Sequence, residues 1–258
     1  MRVRLFAMLM MLNFVPIAAV ATKKKPQEVP QEVPQEAPPA PEPSDEATQE
    51  CPKGTGEFRN KVQRFCFWPG NSAKEGKWII WHENGQKKTE TPYNHGKRDG
   101  KRTAWYDNGQ KKEEISFKDD KEEGKATYWN KAGKKTEEIE WKNGKRNGES
   151  HIWHDDGVKV EDGSWKDNDR DGKNTYYYDN GQKKEEIDYE KGKTNGKHVW
   201  FWDNGQKKTE ASFIRGKKNG LQTEYTRGGQ FSLAICFREE TAQWNTTDEK
   251  EAAAKTCH

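Results

Sequence analysis

The sequence predicts an all-β fold, a seven-copy β-hairpin repeat array that forms an elongated single-layer antiparallel meander with disulfide-stapled terminal caps. Three observations predict this fold: a glycine returns every 24 residues, a second glycine follows each first one after nine residues, and aromatic residues recur at two fixed positions. The first glycines are Gly76, Gly100, Gly124, Gly148, Gly172, Gly196 and Gly220. A fixed period in the twenties is typical of arrays in which each copy buries its apolar side chains mainly against its neighbours.

The second glycine marks a turn in each copy. With the first glycine as position 0, position 9 is always glycine, and Asn or Asp precedes it in five copies: Asn84, Asn108, Asp156, Asn180 and Asn204. Asx-Gly dipeptides favour tight β-turns because both residues tolerate positive φ angles. Each copy is therefore predicted to be a hairpin that turns at this point.

The aromatic positions predict the strands. Position 5 is always aromatic, as in Trp81, Trp105, Trp129, Trp153, Tyr177, Phe201 and Tyr225. Position 17 is aromatic as well, in Tyr93, Phe117, Trp141, Trp165, Tyr189, Phe213 and Phe237, and position 15 is isoleucine in four copies. Aromatic and β-branched residues at a spacing of two, bounded by glycine turns, are typical of short strands.

The turn type decides which positions share a face of the sheet. A two-residue loop would place position 5 opposite position 12 and away from positions 15 and 17. A type I turn followed by a glycine bulge would place positions 3, 5, 11, 13, 15 and 17 on one face. We favour the bulge because it gathers both aromatic positions on one surface, where each buried side chain is worth about 1.5–3 kcal/mol.

These recurring residues resemble the bacterial, 24-residue variant of the MORN repeat. The stretch Tyr/Trp-x-x-Gly-Lys-x-Asp/Asn-Gly stands at residues 93–100, 141–148 and 189–196, with Phe in first place at 213–220. It is followed by x-Trp/Tyr-x-Asp/Glu-Asn-Gly-Gln-Lys-Lys. The resemblance covers about residues 76–237 and implies the hairpin-repeat fold. It also extends to bacterial proteins of an antitoxin-like repeat family, whereas the phospholipid binding attributed to some eukaryotic members, which have a shorter period, is not carried over.

The N-terminal residues predict export. Residues 1–21 contain two early arginines, an apolar run and a small-residue cleavage site, as in a signal peptide cleaved after Ala21. A membrane anchor needs about 20 apolar residues, whereas this run is shorter and is interrupted by Asn13 and Pro16. Residues 22–50 are rich in Pro, Gln and Glu and are predicted to be a disordered spacer. We favour this role over that of a docking segment.

The four cysteines predict two covalent caps. An even number in an exported chain favours disulfides. Seven hairpins at about 4.8 Å per strand span roughly 65 Å, whereas bridged Cα atoms lie about 4.4–6.8 Å apart. The ends of a rod cannot meet, so the expected pairs are Cys51 with Cys66, inside an N-terminal cap of residues 51–75, and Cys236 with Cys257, which ties the end of the last repeat to the C-terminal cap. A closed ring is the alternative.

Helix is expected only near the C-terminus. Residues 247–255 begin with a cap residue, Asp248, and continue through strong helix formers. The C-terminal cap is therefore predicted to comprise residues 238–258 and to contain one short helix.

The charges predict no nucleic-acid partner. The chain has 46 Lys+Arg and 43 Asp+Glu residues, without the concentrated basic stripe of nucleic-acid-binding domains. Lysines recur at positions 11 and 12, and acids at positions 13 and 14 answer them. We favour a solvated face of alternating charge over an anion-binding ladder.

No set of residues predicts catalysis. His151 and His154 are three apart, so on a strand they point to opposite faces and cannot chelate one ion. Carboxylates recur as repeat positions, whereas a catalytic pair should be singular. We therefore expect no catalytic residues, no metal, no cofactor and no enzyme activity.

The fifth and sixth copies depart from the repeat at positions 4 and 6, which the favoured register places on the outer face. Their candidate ligand-binding residues are Tyr176, Tyr178, Trp200, Trp202 and His198, bordered by Lys184, Asp188 and Glu210. Exposed aromatic side chains with polar neighbours are typical of protein hot spots and of carbohydrate stacking. The alternative is that these rings pack under the C-terminal cap or across a curled sheet.

The sequence therefore predicts an exported, non-catalytic module, periplasmic or secreted, that binds or scaffolds protein at the cell envelope or outside the cell. The alternative is a glycan-binding or cell-wall-binding module that uses the aromatic residues of the fifth and sixth copies. The expected partners are a protein or an envelope glycan, and no nucleic acid. We expect no integral membrane segment after signal cleavage, and a monomer or weak oligomer.

Overall fold

A computed structural model describes residues 50–257, so the predicted signal peptide and most of the predicted spacer lie outside the described residues. The fold is all-β, as the sequence predicts. The strands are β1 (Gly56–Arg59), β2 (Gln63–Phe67), β3 (Lys74–Trp81), β4 (Lys87–Asn94), β5 (Lys97–Arg98), β6 (Gly100–Trp105), β7 (Lys111–Lys118), β8 (Lys121–Trp129), β9 (Lys135–Lys142), β10 (Lys145–Trp153), β11 (Lys159–Lys166), β12 (Asp169–Arg170), β13 (Gly172–Tyr177), β14 (Lys183–Glu190), β15 (Lys193–Phe201), β16 (Lys207–Ile214), β17 (Lys217–Tyr225), β18 (Phe231–Arg238) and β19 (Thr241–Thr246).

The strands form one antiparallel meander in which successive strands pair along the chain. The two-residue strands β5 and β12 are short pieces beside the longer β6 and β13, which pair with the same preceding strands. The pairing runs from β1 with β2 to β18 with β19. The sheet is open, which excludes the alternative of a closed ring for the described residues.

The hairpin turns have the predicted geometry. In the second copy the Gly109 amide donates to the Tyr106 carbonyl over 3.0 Å, and the Tyr106 amide donates to the Gln110 carbonyl over 2.8 Å. Gly109 has a φ of 84°, which glycine adopts without steric cost. This is a type I turn closed by a glycine bulge, and the same bonds recur in the other copies.

The predicted face assignment, however, is wrong because a second bulge follows the turn. Trp105 pairs with Lys111, but Ala104 pairs with Glu113, so Lys112 is an extra residue without a partner in the ladder. The same shift occurs in all seven hairpins. Because side chains alternate along a strand, one extra residue moves position 5 to the face opposite positions 15 and 17.

The sheet therefore has two differently composed faces. Face A carries positions 2, 4, 13, 15 and 17, and face B carries positions 1, 3, 5, 11, 14 and 16. Buried residues of face A are Phe117, Ala126, Ile139, Ile187 and Ala211, and those of face B include Ile79, Trp105, Trp129, Trp153 and Val199. Each face buries its own aromatic row, so the array has no single apolar surface.

Both predicted disulfides are present. Cys51 bonds Cys66, and Cys236 bonds Cys257, each with Cα atoms 5.6 Å apart. Disulfides persist in oxidising environments, so the two bridges indicate a non-cytoplasmic location. In the described part of the chain, no helix is long and apolar enough to cross a membrane.

The predicted C-terminal helix is also present. Helix α1 (Glu249–Ala254) begins after Asp248, whose side chain accepts hydrogen bonds from the amides of the first turn. The helix contacts β18 and β19. In the seventh copy, apolar residues replace the lysines and the acid of face B, at Leu221, Phe231 and Ala234. Face B of the last hairpin is thus apolar instead of charged, at the end of the array that the disulfide and the helix cover.

Candidate functional site

Face B carries a ladder of compensated charges. In the second copy the Glu114 carboxylate accepts from Lys101 Nζ over 2.6 Å and from Lys111 Nζ over 2.8 Å. The Lys111 ammonium also lies 5.8 Å from the centroid of the Trp129 ring in the next copy. Carboxylates at position 14 of the first, third and sixth copies are held between two lysines in the same way. The lysines of this face thus have acidic partners beside them.

The fourth copy replaces this arrangement with a hydrogen-bonded cluster. The Asp162 carboxylate contacts His151 Nδ1 at 2.6 Å and accepts from the Tyr177 hydroxyl over 2.6 Å. Burial opposes ionisation of Asp162, but the bonds from His151 and Tyr177 and the charge of Lys159 outweigh it and lower the pKa to about 2. The bond to Asp162 in turn raises the pKa of His151. The cluster is thus an ion pair between His151 and Asp162 on two adjacent strands of the sheet. Within residues 50–257, no group of three or more potential ligands could hold a metal ion.

Face A carries a ladder of a different kind, in which basic side chains lie over aromatic rings. The basic residue stands two residues before the first glycine of a copy, at position −2. Arg98 lies 4.1 Å from the Phe117 ring centroid, Arg146 lies 5.0 Å from that of Trp165, and Lys218 lies 5.0 Å from that of Phe237. Five of the seven copies have Lys or Arg at this position: Lys74, Arg98, Arg146, Arg170 and Lys218.

Arg170 shows the full set of contacts. Its guanidinium lies 4.7 Å from the Trp165 ring, 5.6 Å from the Tyr176 ring and 5.9 Å from the Tyr189 ring. It also donates to the Glu161 carboxylate over 2.5 Å. Three rings and one carboxylate from neighbouring strands thus surround a single cation, an arrangement that stabilises it by cation–π attraction and by an ion pair.

The sixth copy breaks this ladder. Thr194 stands in place of the basic residue, and Thr209 stands where four copies have glutamate. His198 stacks on Trp200 with ring centroids 3.5 Å apart and an interplanar angle of 22°, and it lies 5.9 Å from Phe213. We call the face-A residues of this copy the sixth-copy patch: Thr194, His198, Trp200, Thr209, Ala211 and Phe213. Ala211 is buried, and the other five are half-buried.

The patch borders a carboxylate whose partner is not a cation. Trp200 pairs with Glu185 on one side and with Thr209 on the other. Glu185 Oε2 lies 2.9 Å from His198 Nε2. Burial lowers the pKa of His198 and outweighs the opposing effect of Glu185, so the imidazole is mainly neutral at pH 7. Among the described residues, no Lys or Arg forms an ion pair with Glu185.

The structure separates the five candidate residues of the sequence analysis into two groups. His198 and Trp200 lie in the sixth-copy patch, while Tyr176 packs under Arg170, where burial raises the pKa of its hydroxyl. Tyr178 and Trp202 instead begin the turns. The Tyr178 hydroxyl donates to the Phe201 carbonyl over 2.9 Å, and Trp202 Nε1 donates to the Tyr225 carbonyl over 3.2 Å. Both bonds reach the next copy and hold successive hairpins together.

The second bulge also separates the candidate residues from the polar neighbours that the sequence analysis placed beside them, Lys184, Asp188 and Glu210. Asp188 and Glu210 lie on face B, where Lys197 Nζ donates to Glu210 over 2.6 Å and the Lys197 amide donates to Asp188 over 3.1 Å. Lys184 lies 5.9 Å from the Tyr178 ring centroid, beside the turn. None of the three therefore borders the sixth-copy patch directly.

A family model described as a MORN repeat variant matches four segments of the chain: residues 74–95, 98–119, 170–191 and 194–215. The chain is a MORN-type repeat protein. Each matched MORN segment begins at position −2 and includes one whole hairpin turn, so the match follows the structural unit. The fourth matched segment contains the whole sixth-copy patch.

Solved structures with a partial likeness to these MORN-type repeats give low scores. The Glycosylation Associate Protein complex from Streptococcus agalactiae is 12% identical over 41% of this chain, with a TM-score of 0.27. A TarM variant from S. aureus in complex with Fondaparinux, alpha-GlcNAc-glycerol and UDP is 14% identical over 42%, with a TM-score of 0.27. A second TarM structure is 15% identical over 45%, with a TM-score of 0.21.

These likenesses support no conclusion about function. The aligned part spans 20%, 21% and 22% of the three solved chains, about a fifth of their length. The comparison with curated proteins gives no match.

The sequence analysis missed Thr194, Phe213 and Glu185 as parts of the site. The residue type at position −2 could have pointed to this copy. It is basic in five copies of the MORN-type repeat, and it is Glu122 or Thr194 in the other two. The meaning of that signal depends on face A, because only the correct register brings position −2 onto the rings at position 17.

Proposed function

We propose that this MORN-type repeat protein is an exported, non-catalytic module that binds another protein at the cell envelope or outside the cell, and that the sixth-copy patch is its contact surface. One observation carries the proposal. In five copies the basic side chain at position −2 lies over the aromatic ring at position 17 on face A, whereas the sixth copy has Thr194 at position −2 and presents His198 stacked on Trp200. Half-buried aromatic side chains with a polar rim are typical of binding hot spots.

Two further features support this proposal. The disulfides at both ends, which join Cys51 with Cys66 and Cys236 with Cys257, suit an exported protein. The contact of His151 with Asp162 also has a structural explanation. Tyr177 and Lys159 contact the same carboxylate, and the cluster takes the place of the Lys–Glu pairs that other copies have there. Because Asp162 occupies the position of the glutamate in that charge ladder, the cluster supports a structural role better than a catalytic one.

Site-directed photo-crosslinking tests the proposal. A photoreactive amino acid at Thr209, in the patch, is compared with one at Lys197, which lies on face B of the same copy and is exposed. In envelope extract we expect a discrete protein adduct from position 209 and none from position 197. Equal adducts from both positions, or none from position 209, would contradict the proposal.

The second candidate function is glycan or cell-wall binding by the same patch. The parallel stack of His198 on Trp200 favours it, because a sugar ring packs well on a fixed aromatic face, and the hydroxyls of Thr194 and Thr209 stand beside it. Titration of muropeptides and glycan oligomers against tryptophan fluorescence tests it. Trp200→Ala should abolish the response, whereas Trp202→Ala, the matched control in the turn, should keep it.

A further inference from the structure

Strand β1 is one edge of the sheet, and its outer side has no partner strand among the described residues. It pairs with β2 alone. The Asn60 amide donates to the Gln63 carbonyl over 2.9 Å, so this pair is hydrogen-bonded, and hydrogen-bonded pairs alternate with non-bonded ones along an antiparallel ladder. Phe58 therefore bonds to β2, whereas the amides and carbonyls of Glu57 and Arg59 point to the open edge.

The side chains of β1 are aromatic on one face of the sheet and charged on the other. Phe58 lies on face A and is 42% exposed, although its ring stacks on Phe65 with centroids 5.1 Å apart. On the opposite face, Glu57 Oε1 accepts from Arg64 Nε over 2.6 Å. Arg59 lies opposite Arg64 and forms no ion pair within residues 50–257. The edge thus presents an aromatic ring, a carboxylate and a guanidinium without a carboxylate of its own.

These residues complement a second copy of the same strand. Two β1 strands that pair antiparallel about a two-fold axis at Phe58 place Glu57 of each copy opposite Arg59 of the other. Both residues point their amides and carbonyls outward, so each facing pair can exchange both N–H···O bonds. Opposite charges that face each other across a ladder stabilise it. The two Phe58 rings meet at the axis in a non-bonded pair, where side chains lie closest together.

The neighbouring registers lack this complementarity. A pairing centred on Glu57 sets two carboxylates opposite each other, and one centred on Arg59 sets two guanidiniums opposite each other, both of which are destabilising. A shift by one residue brings outward groups against inward ones and breaks the ladder. The other edge strand, β19, has no charged residue to select a register. The sequence of β1 thus favours one self-pairing over its alternatives.

We infer that two copies of the protein associate through β1, with Phe58 at the two-fold axis and a Glu57–Arg59 pair on either side, so that their two sheets continue into one. Open strand edges are templates for pairing with another chain, and a two-fold contact closes after two copies. A four-residue strand buries little surface, so the dimer is weak and depends on concentration. The inference goes beyond the proposed function, since the sixth-copy patch is not part of this edge.

Charge reversals on β1 test the inference. Sedimentation velocity of the full exported chain is measured from about 1 μM to about 1 mM, the range of weak dimers. We expect the sedimentation coefficient to rise with concentration. Arg59→Glu and Glu57→Arg each set like charges opposite each other, so each should move this rise to about tenfold higher concentration or more. Lys88→Glu, an equal change of charge at an exposed position outside β1, should leave it unchanged.

A mixture of the two variants identifies the register. In a mixed dimer of Arg59→Glu with Glu57→Arg, every facing pair again has opposite charges. The equimolar mixture should therefore associate at the concentration of the wild type, although neither variant does so alone. The chain that carries both substitutions should also recover association. It keeps a carboxylate opposite Arg64, so it decides the matter if Glu57→Arg alone disturbs the N-terminal cap.

Three results would overturn the inference. The first is a wild-type chain that stays monomeric over the whole concentration range. The second is association that both charge reversals leave unchanged, because the copies would then meet at another surface. The third is loss of association in both variants that neither the mixture nor the doubly substituted chain recovers, because the charges would then not face each other as the register requires.

Discussion

Trp105 and Phe117 belong to the same hairpin and lie on opposite faces of the sheet. Phe117 pairs with Gly100, and Trp105 pairs with Lys111, on either side of the register shift at Lys112. Arg98 covers the Phe117 ring on face A, while Lys87 lies 5.9 Å from the Trp105 ring centroid on face B. A single extra residue in each hairpin thus separates the two aromatic rows along the whole array.

The first prediction concerns this extra residue. An alanine inserted between Glu113 and Glu114 adds one more residue to β7 next to the bulge, so Ile115 and Phe117 must leave face A or the ladder must break, and we expect a loss of roughly 3–5 kcal/mol, as for an emptied aromatic site. Lys112→Ala, the matched control, keeps the chain length at an exposed position and should change stability by about 0.5 kcal/mol or less. Urea unfolding of both variants measures this. Similar stability of the two would contradict the role of the bulge.

The second prediction concerns the bonds that join successive hairpins. Tyr178→Phe removes the hydroxyl that donates to the Phe201 carbonyl while keeping the ring. We expect a loss of about 1 kcal/mol in the free energy of unfolding, the usual net worth of such a bond. Tyr106→Phe, which removes the equivalent bond to the Trp129 carbonyl, should cost a similar amount. Thermal melts that show no change in either variant would mean that the bond adds no stability.

The third prediction concerns pH and His151. Because its pKa is raised in the folded state, its charge stabilises the fold fully below the unfolded pKa of about 6.5 and ceases to do so as the pH rises through the folded pKa. Asp162, with a pKa of about 2, stays ionised throughout this range. His151→Gln should therefore cost about 1 kcal/mol at pH 5 and clearly less at pH 9.

Urea unfolding of wild type and His151→Gln at pH 5, 7 and 9 measures the difference. His154→Gln is the control, since this exposed side chain lies outside the Asp162 cluster. A His151→Gln difference that grows with pH would contradict the assignment, because it would mean that the neutral imidazole is the stabilising form.

The fourth prediction concerns the C-terminal disulfide. Replacing Cys236 and Cys257 with serine should expose the amides of β19 and α1 to hydrogen exchange while the central hairpins keep their protection. Each hairpin of the array contacts mainly its neighbours, so loss of one staple, typically worth about 2–4 kcal/mol, acts on one end. Serine at Cys51 and Cys66 should instead loosen β1. A loss of protection throughout the array would show that the sheet unfolds as one unit.

The sequence by itself determined the features that depend on residues close together in the chain. The 24-residue period, the turn at Gly109 and its counterparts, and the helix after Asp248 follow from local backbone preferences of glycine, asparagine and capping residues. The disulfide pairing followed because two ends of an open array cannot meet. The turns needed the sequence of one copy, the helix needed its own segment, and the disulfide pairing needed the length of the whole array; all three predictions are confirmed.

The tertiary structure alone decided which residues share a face and which copies act together. The unpaired Lys112 is defined only by the pairing of two strands, and no local preference of lysine marks it as the extra residue. The contacts of Arg170 likewise join Trp165, Tyr176 and Tyr189, which come from three strands. Side-chain alternation has a period of two, so an error of one residue in the register inverts every face, and only the paired sheet fixes it.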